Sequence, residues 1–417
     1  MPSLTRRGIL ASLAGVAAAG GARPARAENE VRIGALYPLT GSSSGVGRGN
    51  RAALEITAEM INYNHHPFDL LLGDGGGLDR LGGAQVSLVF ADHAGDPAKA
   101  RSEAKRLIVE EKVAALIGTY QSATAVTVSE VAEQHGVPFV SADNSAPDLH
   151  RRGLKWFFRT TPHDGMFTRA MFDLIRAAGS RTGRHARTVA LVYENSAFGL
   201  GSSAAQRASA AEAGLEVVAD LKYEANSASL NDEARVLQGA DADILLPSSY
   251  TEDAVLLMQG LSKAGCKPRA VIAQAAGFQE QAFLSAVGDL AEGVMSRSSF
   301  ALDAVRFRPG ILDMNDFYHA RSGVDLNDNT ARQVVALQVL ADAINRAGSL
   351  RADDIRAALV ATDIPGDQTI MPWRGVRFDA QGQNVLATPV IQQVEDRVYH
   401  TVFPADLAIR RLNWKVA

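Results

Sequence analysis

Residues Val113 to Leu149 read VAALIGTYQSATAVTVSEVAEQHGVPFVSADNSAPDL. Val113-Ala-Ala-Leu-Ile-Gly118 and Val137-Pro-Phe-Val-Ser141 are short apolar runs without alternation, the pattern of strands covered on both faces by helices. Each run stops at a polar turn, Tyr120 to Thr124 in one case and Asp143 to Ser145 in the other. In an open parallel sheet, ligands bind outside the carboxyl ends of the strands, so the two turns should form one wall of a site. Ser122, Ala123 and Thr124 also open the intervening helix, where free backbone N–H groups and the helix dipole favour an anion. In outline this is a carboxylate cradle.

Outward from that stretch the chain alternates strand and helix. Val31 to Pro38 and Gln85 to Asp92 read as strands, with a Gly/Ser turn from Thr40 to Gly49, a helix from Asn50 to Asn64 and an exposed loop from His65 to Gly83. Asp96-Pro97 caps and starts the helix before the quoted stretch. A second set of alternating elements follows Lys155 to Arg159 and runs to Gly293–Phe300. Amphipathic helices at Pro309–Ala320, Thr330–Ala347 and Ala352–Val360 come next, then strands at Gly375–Phe378 and Pro389–Val394. This order predicts two three-layer α/β/α lobes with parallel sheets joined by hinge crossings. One lobe is expected over 31–159 plus 299–362, the other over 160–298 plus 363–417.

A chain of 417 residues is too long for one ordinary core, and its 47% hydrophobic and 21% charged content is that of a globular protein. Residues 1–27 read as an export signal: Arg6-Arg7 precede an apolar run, and Ala25-Arg26-Ala27 supplies a small-x-small site with cleavage after Ala27. The paired arginines point to the twin-arginine route. Loss of the segment's four arginines takes the formal charge from −4 to −8. An acidic surface without a basic block argues against nucleic acid and anionic membrane as partners. The lone Cys266 excludes an internal disulfide.

Several motifs then line up with a known family. Arg32-Ile-Gly-Ala-Leu-Tyr-Pro-Leu-Thr-Gly41, Gly118-Thr-Tyr-Gln-Ser122, Gly136-Val-Pro-Phe-Val140, Phe158-Arg-Thr160, Val192-Tyr-Glu-Asn195 with Phe198-Gly199, and Ala291-Glu-Gly293 stand in order across the mature chain. In these the chain resembles the type I periplasmic binding proteins of the leucine/isoleucine/valine-binding family, the soluble receptors of ABC uptake systems. The resemblance implies a periplasmic monomer that takes a small carboxylate-bearing solute by cleft closure and delivers it to an inner-membrane permease. It implies that Ser122, Ala123, Thr124, Asn144 and Ser145 hold the carboxylate and that Phe198 and Tyr250 cover the solute from the second lobe. Tyr120 and Gln274 are further candidates. The family's amino-acid binders carry an acidic partner for the ligand's ammonium at the position of Ala275. Its replacement leaves Glu252 or Asp253 as substitutes, or a ligand without an ammonium group.

Other readings compete. Ser122 and Thr124 could simply cap a helix, and Tyr120 and Tyr250 could be core-edge tyrosines. Gly41-Ser-Ser-Ser-Gly45 matches the nucleophile elbow of a serine hydrolase with Ser43 as nucleophile, but too few strands precede it. A sensory module presenting its ligand to a signalling receptor would use the same cleft as a transport receptor. No cofactor or metal is expected: the first strand lacks a dinucleotide fingerprint, and Asp325-Leu-Asn-Asp-Asn329 departs from a calcium loop at Thr330 and Ala336.

Overall fold

The computed structural model describes residues 30–416. The expected export signal lies outside them. β1 (Glu30–Tyr37), β2 (Gln85–Asp92), β3 (Ala115–Gly118), β4 (Phe139–Ser141) and β5 (Phe157–Arg159) form a parallel sheet in the order β2-β1-β3-β4-β5. On one face α2 (Pro97–Val109) and α3 (Ser122–His135) bury Leu107, Val128 and Ala132 against Leu116 and Phe139. Much of the other face is covered by α1 (Ser44–Asn62), and the chain returns to complete that layer later. The expected turn at Thr40–Gly49 is half helix, because α1 begins at Ser44. Gly47 makes this possible: a Cβ there would lie 2.1 Å from the Pro38 carbonyl oxygen. The loop expected to be exposed is not wholly so, since it buries Leu70 and Leu78 in the same core.

The second sheet repeats the design. Its helices are α4 (Asp164–Thr182), α5 (Ala197–Ala213), α6 (Asn231–Ala240), α7 (Thr251–Ala264) and α8 (Gln281–Val287). Its parallel strands are β6 (Thr188–Glu194), β7 (Glu216–Tyr223), β8 (Ile244–Ser248), β9 (Ala270–Ala273) and β10 (Met295–Ser298). α4 and α5 pack on one face, and α6, α7 and α8 on the other. After β10 the chain crosses back, and α9 (Gly310–Ser322), α10 (Asp328–Ala347) and α11 (Ala352–Val360) join α1 on the first sheet.

Four late strands finish the molecule. β11 (Asp363–Pro365) pairs antiparallel with β12 (Gly375–Arg377). Ile364, Trp373 and Val376 bury themselves in the core of the first sheet, so the boundary expected at 363 falls later in the packing. β13 (Val390–Glu395) and β14 (Val398–Phe403) then extend the second sheet to β14-β13-β10-β9-β8-β6-β7, with β13 antiparallel to both β10 and β14.

Hydrogen bonds bind the crossings together. Arg159 is fully buried and donates from Nε to Gln383 Oε1 at 2.7 Å and from Nη1 to the carbonyls of Asn144 and Ala146 at 2.9 Å. Gln383 donates to the Thr161 carbonyl and Asn384 to the Thr160 carbonyl, each at 3.0 Å. The Thr161 and Ser299 hydroxyls meet at 3.3 Å. All three chain passages therefore share one polar hinge, built from groups whose burial demands partners.

Candidate functional site

The carboxyl ends of β3 and β4 carry the first wall. Tyr120 has φ of 88°, a conformation disfavoured for a bulky side chain that persists only where its surroundings impose it. Asn144 supplies much of that constraint. Its amide donates to the Tyr120 carbonyl at 2.9 Å, and its Oδ1 accepts from the Thr119 amide at 3.2 Å and the Ser141 hydroxyl at 2.8 Å. His93 adds a further brace: Nε2–H donates to the Thr119 carbonyl while Nδ1 accepts from the Gly95 amide, both at 3.0 Å. This arrangement requires a neutral imidazole.

Burial holds His93 down to about 4, against its ordinary 6.5. The unfolded chain therefore takes up this proton first as pH falls, so the stabilisation is present above pH 6.5 and lost towards pH 4. Asp143 and Glu280, raised by burial to about 6 and about 7, act in the opposite sense across an overlapping range. The informative quantity is thus a difference between proteins. The fall in melting temperature from pH 6.5 to pH 4 is expected to be shallower in His93→Gln than in the wild type, as followed by circular dichroism.

α3 opens directly on the turn. Its N-cap, Gln121, makes no side-chain capping bond, so the first-turn amides depend on other acceptors. Ser122 is buried, and its Oγ accepts from the Ala146 amide at 3.3 Å, tying the two turns together. Across the cleft, Phe198 sits in the first turn of α5 and Tyr250 is the N-cap of α7. The Tyr120 and Tyr250 rings are 5.4 Å apart and the Phe198 and Tyr250 rings 5.3 Å, so an aromatic row spans both lobes.

Beside this row lies a buried chain of charges. Asp164 at the start of α4 is 3.8 Å from Arg297 on β10, and Arg297 is 3.8 Å from Asp328 at the start of α10. Arg332, one turn on, donates to the Asp328 carboxylate and is paired with Asp143 at 3.5 Å. Asp143 is held by Gln333 at 2.6 Å and Asn50 at 3.0 Å. Asn329 reaches across to Glu280. The aromatic row and Asp143, Arg297, Asn329 and Arg332 of this chain line a cavity of about 10 Å³, room for about one water, so a larger solute enters only if the lobes part. A larger groove of about 830 Å³ is lined by α4, α5 and residues 146–152, and of its four arginines those at 151, 169 and 176 are exposed.

Residues 30–397 match the family model described as periplasmic binding protein. The chain belongs to the periplasmic binding protein family. This binding protein is 31% identical over 393 residues to Leu/Ile/Val-binding protein homolog 8 of Brucella abortus, covering 93% of each chain. It is 30% identical over 411 residues to homolog 7 of Brucella suis, covering 97% of this chain and 98% of the relative. Its fold is similar to that of the branched-chain amino acid transporter substrate binding protein LivJ of Streptococcus pneumoniae, solved with isoleucine. That match has a TM-score of 0.75 and 20% identity, covering 90% of this chain and 100% of the other. It is also similar to a solute binding protein of Rhodopseudomonas palustris solved with benzoate, with a TM-score of 0.75 and 17% identity, covering 89% and 95%. The family is one of binding proteins and not of enzymes. Ser43 precedes α1 and makes no capping hydrogen bond.

Of the residues singled out in the sequence, Tyr120, Ser122, Ser145, Phe198 and Tyr250 line the cavity of the binding protein. Ala123 and Asn144 do not line it, and Asn144 instead fixes the turns. Thr124 turns into its own helix, donating to the Gln121 carbonyl at 2.7 Å. Gln274 is spent on Asp164 at 3.0 Å. Ala276, not Ala275, reaches the cavity, and Glu252 and Asp253 stay outside it. Asp143, Arg297, Asn329 and Arg332 line it without having been singled out. One signal was available for Arg297: an arginine inside a short strand that is otherwise buried must be paired or functional. Asp328 and Arg332 stand four apart at a helix start, a spacing that puts them on one face.

Proposed function

We propose that this chain is the extracytoplasmic receptor of an ABC uptake system, exported by residues 1–27 and acting as a monomer. It takes a small carboxylate-bearing solute between its lobes and presents it to an inner-membrane permease. The observation that carries the reading is the cavity at the strand ends, where Tyr120, Ser122 and Ser145 of one lobe face Phe198 and Tyr250 of the other. Ser122, Ser145 and the first-turn amides of α3 serve the carboxylate, and the aromatic row covers the rest of the solute. Closure is driven by the solute, because only the closed arrangement offers contacts from both lobes. The hinge around Arg159, Gln383 and Asn384 keeps the passages in register while the lobes move.

A thermal-shift screen of residues 28–417 against small carboxylic acids and their carboxylate-free analogues tests this. A bound acid at about 100 times its dissociation constant adds about 2.7 kcal/mol. Ser122→Ala is expected to weaken that acid at least about tenfold while lowering the unliganded melting temperature only as far as loss of the single hydrogen bond from the Ala146 amide requires. Stabilisation by carboxylate-free compounds alone would remove the cradle.

A further inference from the structure

We propose that the solute carries a second oxygen acceptor, a carboxylate or an amide carbonyl, remote from its first carboxylate and seated on the Arg297 guanidinium. The inference rests on the receptor reading above and adds the class of solute: bifunctional polar acids rather than branched aliphatic ones.

Arg297 is 2% exposed and lines the cavity. Its two acidic neighbours, Asp164 and Asp328, each stand 3.8 Å away, beyond hydrogen-bonding distance. Nε and Nη1 have no hydrogen-bond partner in the protein. Arg332, equally buried, shows what a satisfied guanidinium looks like here: it donates to the Asp328 carboxylate, to the Asp328 carbonyl at 3.0 Å and to Asn329 at 3.0 Å. Arg297 is also held in place, its guanidinium carbon lying 3.6 Å from the centre of the Phe167 ring. A fixed, buried guanidinium with open donors is costly unless acceptors complete it, and an oxygen of the solute can supply one.

The remaining walls agree. Ala276 is the sole aliphatic side chain lining the cavity, and the residues nearest Arg297 in character are Asp143, Asn329 and Arg332. A leucine or isoleucine side chain placed there would cover the open donors without satisfying them. Sites built to hydrogen-bond a polar group reject analogues lacking it far more strongly than apolar pockets discriminate by size.

The test is calorimetric titration of residues 28–417 with three sets of solutes. These are leucine, isoleucine and valine; the dicarboxylates succinate, glutarate, aspartate and glutamate; and the amides asparagine and glutamine. At least one solute with a polar far end is expected to bind about a hundredfold more tightly than leucine. The second and third sets distinguish a carboxylate from an amide carbonyl on Arg297. Arg297→Leu should reduce the preference at least about tenfold. Arg297→Lys keeps a positive charge between Asp164 and Asp328 but not the guanidinium donors, so it tests the same point should Arg297→Leu fail to fold. It should weaken the polar-ended solute at least about tenfold more than it weakens leucine.

Tighter binding of an aliphatic amino acid than of every polar-ended solute would overturn the inference, as would unchanged selectivity in Arg297→Lys. If leucine binds more tightly than every polar-ended solute and Ser122→Ala weakens it, the receptor reading stands and the Arg297 assignment alone falls. If no carboxylate solute binds, the receptor reading falls and this inference with it.

Discussion

Replacing Arg332 by alanine is expected to destabilise the protein by about 3–5 kcal/mol, the usual cost of breaking a buried ion pair by deleting one partner. Arg332 is 3% exposed and compensates two carboxylates, Asp328 and Asp143, which are themselves 2% and 5% exposed. Without the guanidinium, both carboxylates and Glu280 remain together in a poorly solvated space. The loss should depend on pH in a definite direction. Burial already lifts Asp143 to about 6, with Arg332 opposing the rise. A carboxyl raised in the folded state stabilises fully below its unfolded value and loses that contribution as pH rises through its folded value. Removing Arg332 lifts Asp143 further, so the deficit of Arg332→Ala should be largest near pH 8 and shrink towards pH 5. Urea unfolding of both proteins across that range measures it. A constant deficit would mean that lost packing, not unpaired charge, dominates.

Gly277→Ala should produce the second large effect, and it reaches the cleft through the backbone. A Cβ at Gly277 would stand 2.2 Å from the Thr251 amide nitrogen and 2.3 Å from the Tyr250 carbonyl carbon. Neither is the movable end of a side chain, so the start of α7 has to shift, and Tyr250 is its N-cap. Overpacking of this kind costs about 1–3 kcal/mol. Displacement of Tyr250 also spoils the aromatic row with Tyr120 and Phe198. Solute affinity is therefore expected to drop at least about tenfold, beyond what the stability loss alone would cause, as read by titration well below the melting temperature. Wild-type affinity in a destabilised Gly277→Ala would show that the Tyr250 position is not used.

The architecture was legible because the strands are short, apolar and uninterrupted, and because each ends in a polar turn. Val113 to Ser141 could hardly be read otherwise, and β3, α3 and β4 stand where the sequence put them. The edges were less legible. Asp363–Arg377 carries the apolar residues of a core-facing ribbon, but sequence pattern does not say which of two cores receives them. Within the site, residues belonging to turns at strand ends could be located, since those turns have a known address in a parallel sheet. Side-chain direction could not be read in the same way: Thr124 and Asn144 have the right chemistry in the right turns, yet each spends its polar atoms on the backbone nearby.

The charged half of the cavity was the hardest part to foresee. Asp143, Arg297 and Arg332 lie far apart in sequence and meet only because β4, β10 and α10 converge at the cleft. Asn327 helps to bring them together. The segment around it, which failed as a calcium loop, is the capping box of α10, with the Asn327 side chain accepting from the Thr330 amide. That cap fixes the first turn of α10 and so aims Asp328, Asn329 and Arg332 inward.

A solute held between two lobes that close around it changes the distance between them, which can be read directly. With Cys266 replaced by serine, spin labels at the exposed positions Lys105 on α2 and Glu212 on α5 report the separation of the lobes by pulsed electron resonance. Addition of the acid identified by thermal shift is expected to shorten the distance and narrow its distribution, and Ser122→Ala should require at least about ten times more acid for the same change. A solute that binds tightly while the distance distribution stays as it was would contradict closure around the ligand.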